Sequence, residues 1–261
     1  MELDDAYANG AYIEGAAHYP ERWAASAEDF RNALRDRARL DLPYGEGARC
    51  TFDLFLPEAA PKGVFIFVHG GYWMKFDKST WSHLAVGALA QGWAVAMPSY
   101  DLCPQVRIAD ITRQIAQAVT VIAEQTEGPI ALAGHSAGGH LVARMVDKAV
   151  LPATVAARIR TVVPISPLSD LRPLLQTSMN DAFKMDIAAA TAESPVETTD
   201  RYDAKVTVWV GGAERPAFLD QAIWLVEAWD ADHVIALDKH HFNVIEPLAD
   251  PDSDLVAVIT G

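Results

Sequence analysis

With 261 residues, 51% of them apolar and spread in short runs, the chain is long enough to bury a sizeable core without disulfide staples. Its 35 acidic against 21 basic residues leave a net charge of −14, which argues against nucleic acid and anionic membrane as partners. Cys50 and Cys103 form no metal-like or redox-like pair, the N-terminus is acidic where a secretory leader is basic, and no apolar run approaches membrane-spanning length; a soluble, cytoplasmic protein is expected.

No linker divides the chain, so one domain over 1–261 is expected. Residues 1–42 read as an arm lying over it at the mouth of a site, with a helix start at Ser26, Ala27, Glu28 and Asp29 ahead of Phe30, Leu34 and Ala38. Residues 51–56 alternate as an edge strand does, and the turn-rich 57–63 predicts a hairpin with the next strand. That strand, Val64-Phe65-Ile66-Phe67-Val68, is continuously apolar, the pattern of a strand covered on both faces. Regular alternation follows: a helix over 80–91, a strand over 93–97, a helix over 108–124, strands over 129–133 and 161–165 separated by a helix over 139–150. Residues 166–204 form a long excursion, read as a pocket-shaping cap or lid. A strand over 206–210, a helix with Phe218, Ala222, Leu225 and Val226 on one face, and a strand over 233–237 complete the series. Such order predicts an α/β fold with a mostly parallel central sheet, helices on both faces, and a site at the C-terminal ends of the strands.

The chemistry concentrates there. Gly134-His135-Ser136-Ala137-Gly138 lies between a strand and a helix, the G-x-S-x-G pattern of a turn tight enough to lift a serine hydroxyl above a sheet, and makes Ser136 the candidate nucleophile. His69-Gly70-Gly71-Tyr72-Trp73 directly follows the buried strand. Its glycines let backbone N–H groups converge on one point, so Gly71 and Tyr72, with Ala137 after the serine, are the candidate oxyanion donors. A neutral serine needs a base, and the base needs an acid that fixes its tautomer. Glu214 and His241 follow the last two strands and fill those roles; Asp170, Asp203 and Asp220 are rival acids, and His240 is the rival base. Trp73 and Phe76 are candidate substrate-binding residues, Trp81 lines the pocket or packs in the core, and Trp224 and Trp229 read as core. His69 reads as an anchor of the glycine loop. His135 and His140 are five apart, not the i,i+4 of a helical zinc pair, so no metal and no cofactor is expected.

With these motifs, the chain resembles the α/β-hydrolase superfamily and, within it, the kynurenine formamidase (arylformamidase) group and its esterase relatives. The similarity runs from about Tyr44 onward and rests on 69–73, 134–141, Ser169-Asp170-Leu171-Arg172-Pro173-Leu174, Asn180, Ser194-Pro195 and 241–246. It implies an α/β-hydrolase fold, an acyl-enzyme mechanism, a small-molecule substrate and an acid at position 214, where formamidases usually carry Asp and this chain has Glu. The leading expectation is hydrolysis of an aryl formamide such as N-formylkynurenine. A general carboxylesterase or thioesterase, and a non-catalytic hydrolase-like binding protein, are the alternatives.

Overall fold

The computed structural model describes all residues 1–261. Eight strands form one sheet: β1 (Ala38–Pro43), β2 (Thr51–Phe55), β3 (Val64–Val68), β4 (Ala94–Pro98), β5 (Ile130–His135), β6 (Ile159–Ile165), β7 (Lys205–Gly211) and β8 (Asp232–Ala236). Their order is β1-β2-β4-β3-β5-β6-β7-β8. The six strands from β4 to β8 run parallel, while β2 pairs antiparallel with both β1 and β4.

The sheet is central because its strands are apolar on both faces. Every residue of β3, β4 and β5 is buried. Full burial of each Val, Ile, Leu or Phe stabilises by roughly 1.5–3 kcal/mol, so these strands cannot sit at an edge. The alternate faces feed two separate cores, with Ile66, Leu132 and Val162 in one and Phe65, Phe67 and Val163 in the other. Helix Ile108–Gln125 covers the first core with a stripe at Ile108, Ile111, Ile115, Val119 and Ile122, and the Asp110 carboxylate caps it by accepting the Arg107 N–H at 2.8 Å. Helix Tyr19–Leu34 is largely polar and exposes most of its length. It docks through Trp23, Ala27 and Leu34, a narrow stripe at helical spacing.

Four expectations need correction. The helix start read at Ser26 lies inside a helix that runs from Tyr19, where Pro20 suits the first turn, to Leu34, and Ala38 belongs to β1. Residues 51–56 do not form a hairpin with β3. Strand β4 inserts between them, and the edge belongs to β1, whose polar sequence Ala38-Arg39-Leu40-Asp41-Leu42-Pro43 carries little strand signal. The helix over 80–91 breaks into turns at Lys78–Thr80 and Ser82–Ala85 followed by a short helix, Val86–Ala90, because Asp77 caps the first turn through the Ser79 N–H and Trp81 and Leu84 must both reach the core. The helix expected over 139–150 starts at Ala137 and ends at Arg144.

No helix is long and apolar enough to cross a membrane. Both cysteines are free and buried.

Candidate active site

The G-x-S-x-G turn is built by close approach of backbone to backbone. A side chain on Gly138 would lie 2.0 Å from the Val68 carbonyl oxygen, so the helix that begins at Ala137 presses on β3 with no room for a methyl group. Ser136 itself holds φ 57° and ψ −116°, a conformation costing on the order of 1–3 kcal/mol in a residue with a Cβ. The surroundings impose it: the Ser136 N–H donates to Ile165 at 2.8 Å and its carbonyl accepts from His140 at 3.1 Å. The hydroxyl is thereby lifted above the C-terminal end of β5 and beside the N-terminus of helix Ala137–Arg144, whose partial positive charge favours an anion.

The glycine loop after β3 is equally constrained. Gly71 has φ 110°, and a Cβ there would meet the Lys75 carbonyl oxygen at 2.6 Å. Tyr72 and Trp73 follow with φ 52° and 53°. This run turns the Gly71 carbonyl back to accept from Met74 and Lys75, while the Gly71 and Tyr72 N–H groups have no acceptor within the protein. Behind the loop, His69 Nδ1 lies 2.7 Å from the Gly70 carbonyl, and its ring stacks on Tyr100, whose hydroxyl donates to the His69 carbonyl at 2.9 Å. Burial lowers the His69 pKa to about 4, so it is a neutral anchor, as its place in the motif suggested.

Glu214 and His241 meet. His241 Nδ1 donates to Glu214 Oε2 at 2.6 Å, and both side chains are buried. The other carboxylate oxygen accepts the Gly211 N–H at 2.9 Å and the Ser166 hydroxyl. Phe218 packs on the His241 ring with centroids 4.3 Å apart, and His135 packs at 4.6 Å. His135 is held neutral by burial and by its neighbour His241. The rivals lie elsewhere. Asp170 is paired with Arg172, Asp203 and Asp220 are exposed, and His240 Nε2 shares a hydrogen bond with the Tyr19 hydroxyl at 3.1 Å.

Ser136, His135 and His241 open on one cavity of about 460 Å³. The Ser136 hydroxyl is not hydrogen-bonded to His241 here; such contacts commonly tighten only around substrate. Gly70, Gly71 and Tyr72 form the floor, with Met74, Lys75, Phe76 and Trp81 beside it. The opposite wall comes from the N-terminal arm, through Tyr7, Ala8, Asn9, Gly10, Ala16, Pro20 and Trp23, and is closed by Phe242. From 166–204, only Met179 reaches the cavity.

Phe76 therefore lines the cavity as expected, but Trp73 does not. It is fully buried on the far side of the loop, edge-on to His140 and Phe183, because the successive positive φ angles turn its side chain into the core. Trp81 does line the cavity, edge-on to Phe76 and tilted against Trp23. Trp229 is core, whereas Trp224 is 36% exposed on the outer face of helix Pro216–Trp229. Tyr7, Asn9 and Trp23 were not distinguished in the sequence. They lie on separate segments with no motif around them, and only docking shows what they face.

Lys75, an exposed residue, is the one Lys, Arg, Asp or Glu among those lining the cavity. No group of three or more His, Cys, Asp or Glu side chains is arranged to hold a metal ion.

A profile of the alpha/beta hydrolase fold matches residues 65–231. The chain belongs to this family. This α/β hydrolase is 30% identical to the kynurenine formamidase of Drosophila melanogaster over 82% of its own length and 78% of that protein's. It is 29% identical to the kynurenine formamidase of Danio rerio, over 88% and 89% of the two chains. A crystal structure from Silicibacter sp., described provisionally as a thioesterase, is 80% identical and superposes with a TM-score of 1.00 over the whole of both chains. Esterase B of Lactobacillus rhamnosis shares the fold, with a TM-score of 0.65 at 17% identity over 93% and 97% of the two chains. The chain is thus an enzyme of the hydrolase class.

Proposed function

We propose that this enzyme is a serine hydrolase that removes a small acyl group through an acyl-enzyme, with an aryl formamide of the N-formylkynurenine type as substrate. The observation that carries the reading is the joining of Glu214 and His241 by a 2.6 Å hydrogen bond at the cavity onto which Ser136 opens. In this reading His241 takes the Ser136 proton at Nε2 as the oxygen attacks the carbonyl carbon, and Glu214 stabilises the imidazolium that results. The N–H groups of Gly71, Tyr72 and Ala137 receive the oxyanion, each worth about 2.7–4 kcal/mol of transition-state stabilisation. The imidazolium then protonates the departing amine, and a water deprotonated by His241 releases the acid from Ser136. Protonation matters more for an amine than for an alkoxide, which leaves unaided more readily, so the same site cleaves esters.

The aryl preference is supported by the aromatic lining from Tyr7, Trp23, Phe76, Trp81 and Phe242, and by the formamidase relatives. Lys75 suits a substrate that carries a carboxylate, as an amino-acid side arm does. The whole chain acts as one domain in this reading, with the arm covering the site, and the two free cysteines suit a reducing compartment such as the cytoplasm. A second reading, thioester hydrolysis, is favoured by the description of the 80% identical Silicibacter protein.

The test is kcat/KM on N-formylkynurenine, p-nitrophenyl acetate and a short acyl-thioester, with Ser136→Ala as the blank. The expected result is the highest value on the formamide and a loss of at least about a thousandfold in the variant on all three. A higher value on the thioester selects the second reading. Turnover retained by Ser136→Ala refutes the serine mechanism.

A further inference from the structure

The carboxylate of Glu214 is held by more than the turn that carries it. Ser166 is the residue immediately after β6, fully buried, and one of the few residues with a side chain to adopt a positive φ, 47°. Its N–H donates to the Trp209 carbonyl at 2.7 Å, so the backbone is pinned across to β7, and its hydroxyl donates to Glu214 Oε1. The Gly211 N–H donates to the same oxygen at 2.9 Å, which leaves Oε2 for His241 Nδ1. Three donors from the ends of β6 and β7 and from the final loop thus converge on one carboxylate.

The chemistry of the acid makes this arrangement consequential. A glutamate has one more rotatable bond than an aspartate, and a buried carboxylate held by a single backbone N–H is free to swing its second oxygen away from the imidazole. Hydrogen bonds to a charged group are among the stronger ones in proteins, and a hydroxyl that must donate to Oε1 fixes the rotation about the last side-chain bond. We propose that Ser166 is a positioning residue for the Glu214–His241 pair: its hydroxyl orients the carboxylate so that Oε2 holds Nδ1–H of His241 and directs Nε2 toward Ser136. The inference rests on the serine-hydrolase reading above, and no substrate contact is assigned to Ser166.

Two variants separate the hydroxyl from the backbone. Ser166→Gly removes it and relaxes the positive φ, whereas Ser166→Ala removes it and keeps the Cβ. Both are expected to lower kcat by about 10- to 100-fold with KM within about twofold, and by similar factors despite their different backbone demands. In a Glu214→Ala background, where there is no carboxylate to orient, Ser166→Ala is expected to change kcat by less than about twofold, the non-additivity of a pair that acts as one unit. A melting temperature and circular dichroism spectrum for each variant identify any that fails to fold, and the glycine variant then carries the test. The proposal is overturned by Ser166→Gly at wild-type kcat, or by an equal loss with and without Glu214. Ser136→Ala in the same assay keeps the two failures apart: full dependence on Ser136 with no dependence on Ser166 removes only the positioning role, whereas turnover without Ser136 removes both.

Discussion

The floor of the cavity, where Gly70, Gly71, Tyr72, His135 and Ser136 are carried on the tight turns 69–72 and 134–138, is a backbone structure, whereas the wall opposite it, made by Tyr7, Asn9, Trp23 and Phe242, is a side-chain structure. The floor has positive φ angles at Gly71, Tyr72 and Ser136 and tolerances of tenths of an ångström around Gly138. The wall is an arm from the other end of the chain, fastened by the Tyr72 hydroxyl to the Tyr7 carbonyl at 2.7 Å, by Gln221 to the Tyr7 hydroxyl at 3.0 Å, and by Arg215 to Asp5 at 2.8 Å. These fastenings reach the glycine loop, the helix after Glu214 and the residue next to it. The turns under the cavity are thus shaped by local strain within short segments, while the wall opposite them is assembled from distant ones.

The contrast is broken most severely at Gly138. Gly138→Ala sets a methyl group against the Val68 carbonyl with only backbone on both sides, and about 4 kcal/mol or more of stability should be lost. Thermal denaturation reads this directly, and a variant that melts within about 2 °C of the parent would contradict the account of the floor.

Acid should also act on the floor. His69, His135 and His140 lie in or beneath it; burial is the first cause of depression in each, to about 4 for His69 and about 3 for His140. Their unfolded value is near 6.5, so the unfolded chain binds more protons below that pH. Their contribution to stability is full above about pH 6.5 and declines as pH falls toward 4, at up to about 1.4 kcal/mol per pH unit for each histidine. Urea midpoints at pH 7 and pH 5 should differ accordingly, with amide exchange over 134–140 accelerating; equal midpoints would remove the buried neutral histidines from the account.

The wall is tested by Trp23→Leu, which keeps an apolar helix face but removes an indole from the cavity. For an aryl formamide, kcat/KM should fall by about tenfold, mostly through KM, while p-nitrophenyl acetate turnover changes by less than about threefold. Equal losses on both substrates would show that the arm supports the chemistry and not the selection.

The smallest effect is expected at Lys75. In Lys75→Gln, a carboxylate-bearing formamide should lose about three- to tenfold in kcat/KM relative to its neutral ester, and added salt should shrink the parent's preference by a similar factor. An unchanged ratio would separate Lys75 from recognition.

The parallel sheet was legible in the chain, since runs such as 64–68 and 130–133 are apolar at every position and only burial on two faces accommodates them. So were Ser136 and the glycine loop, because the turns that carry them demand small residues at fixed offsets. Chain order pointed to an acid and a histidine after the last two strands, although the choice of Glu214 and His241 over their neighbours rested on the 2.6 Å hydrogen bond between them. Docking was needed to show that β4 separates β2 from β3, that Trp73 turns into the core while Trp81 faces the cavity, that the excursion over 166–204 brings no more than Met179 to the cavity, and that Ser166 holds Glu214. The physical reason is one of range. Strain and burial are properties of a few consecutive residues and leave a pattern in them, whereas a cavity wall or a hydrogen bond across 48 residues depends on where separate elements dock.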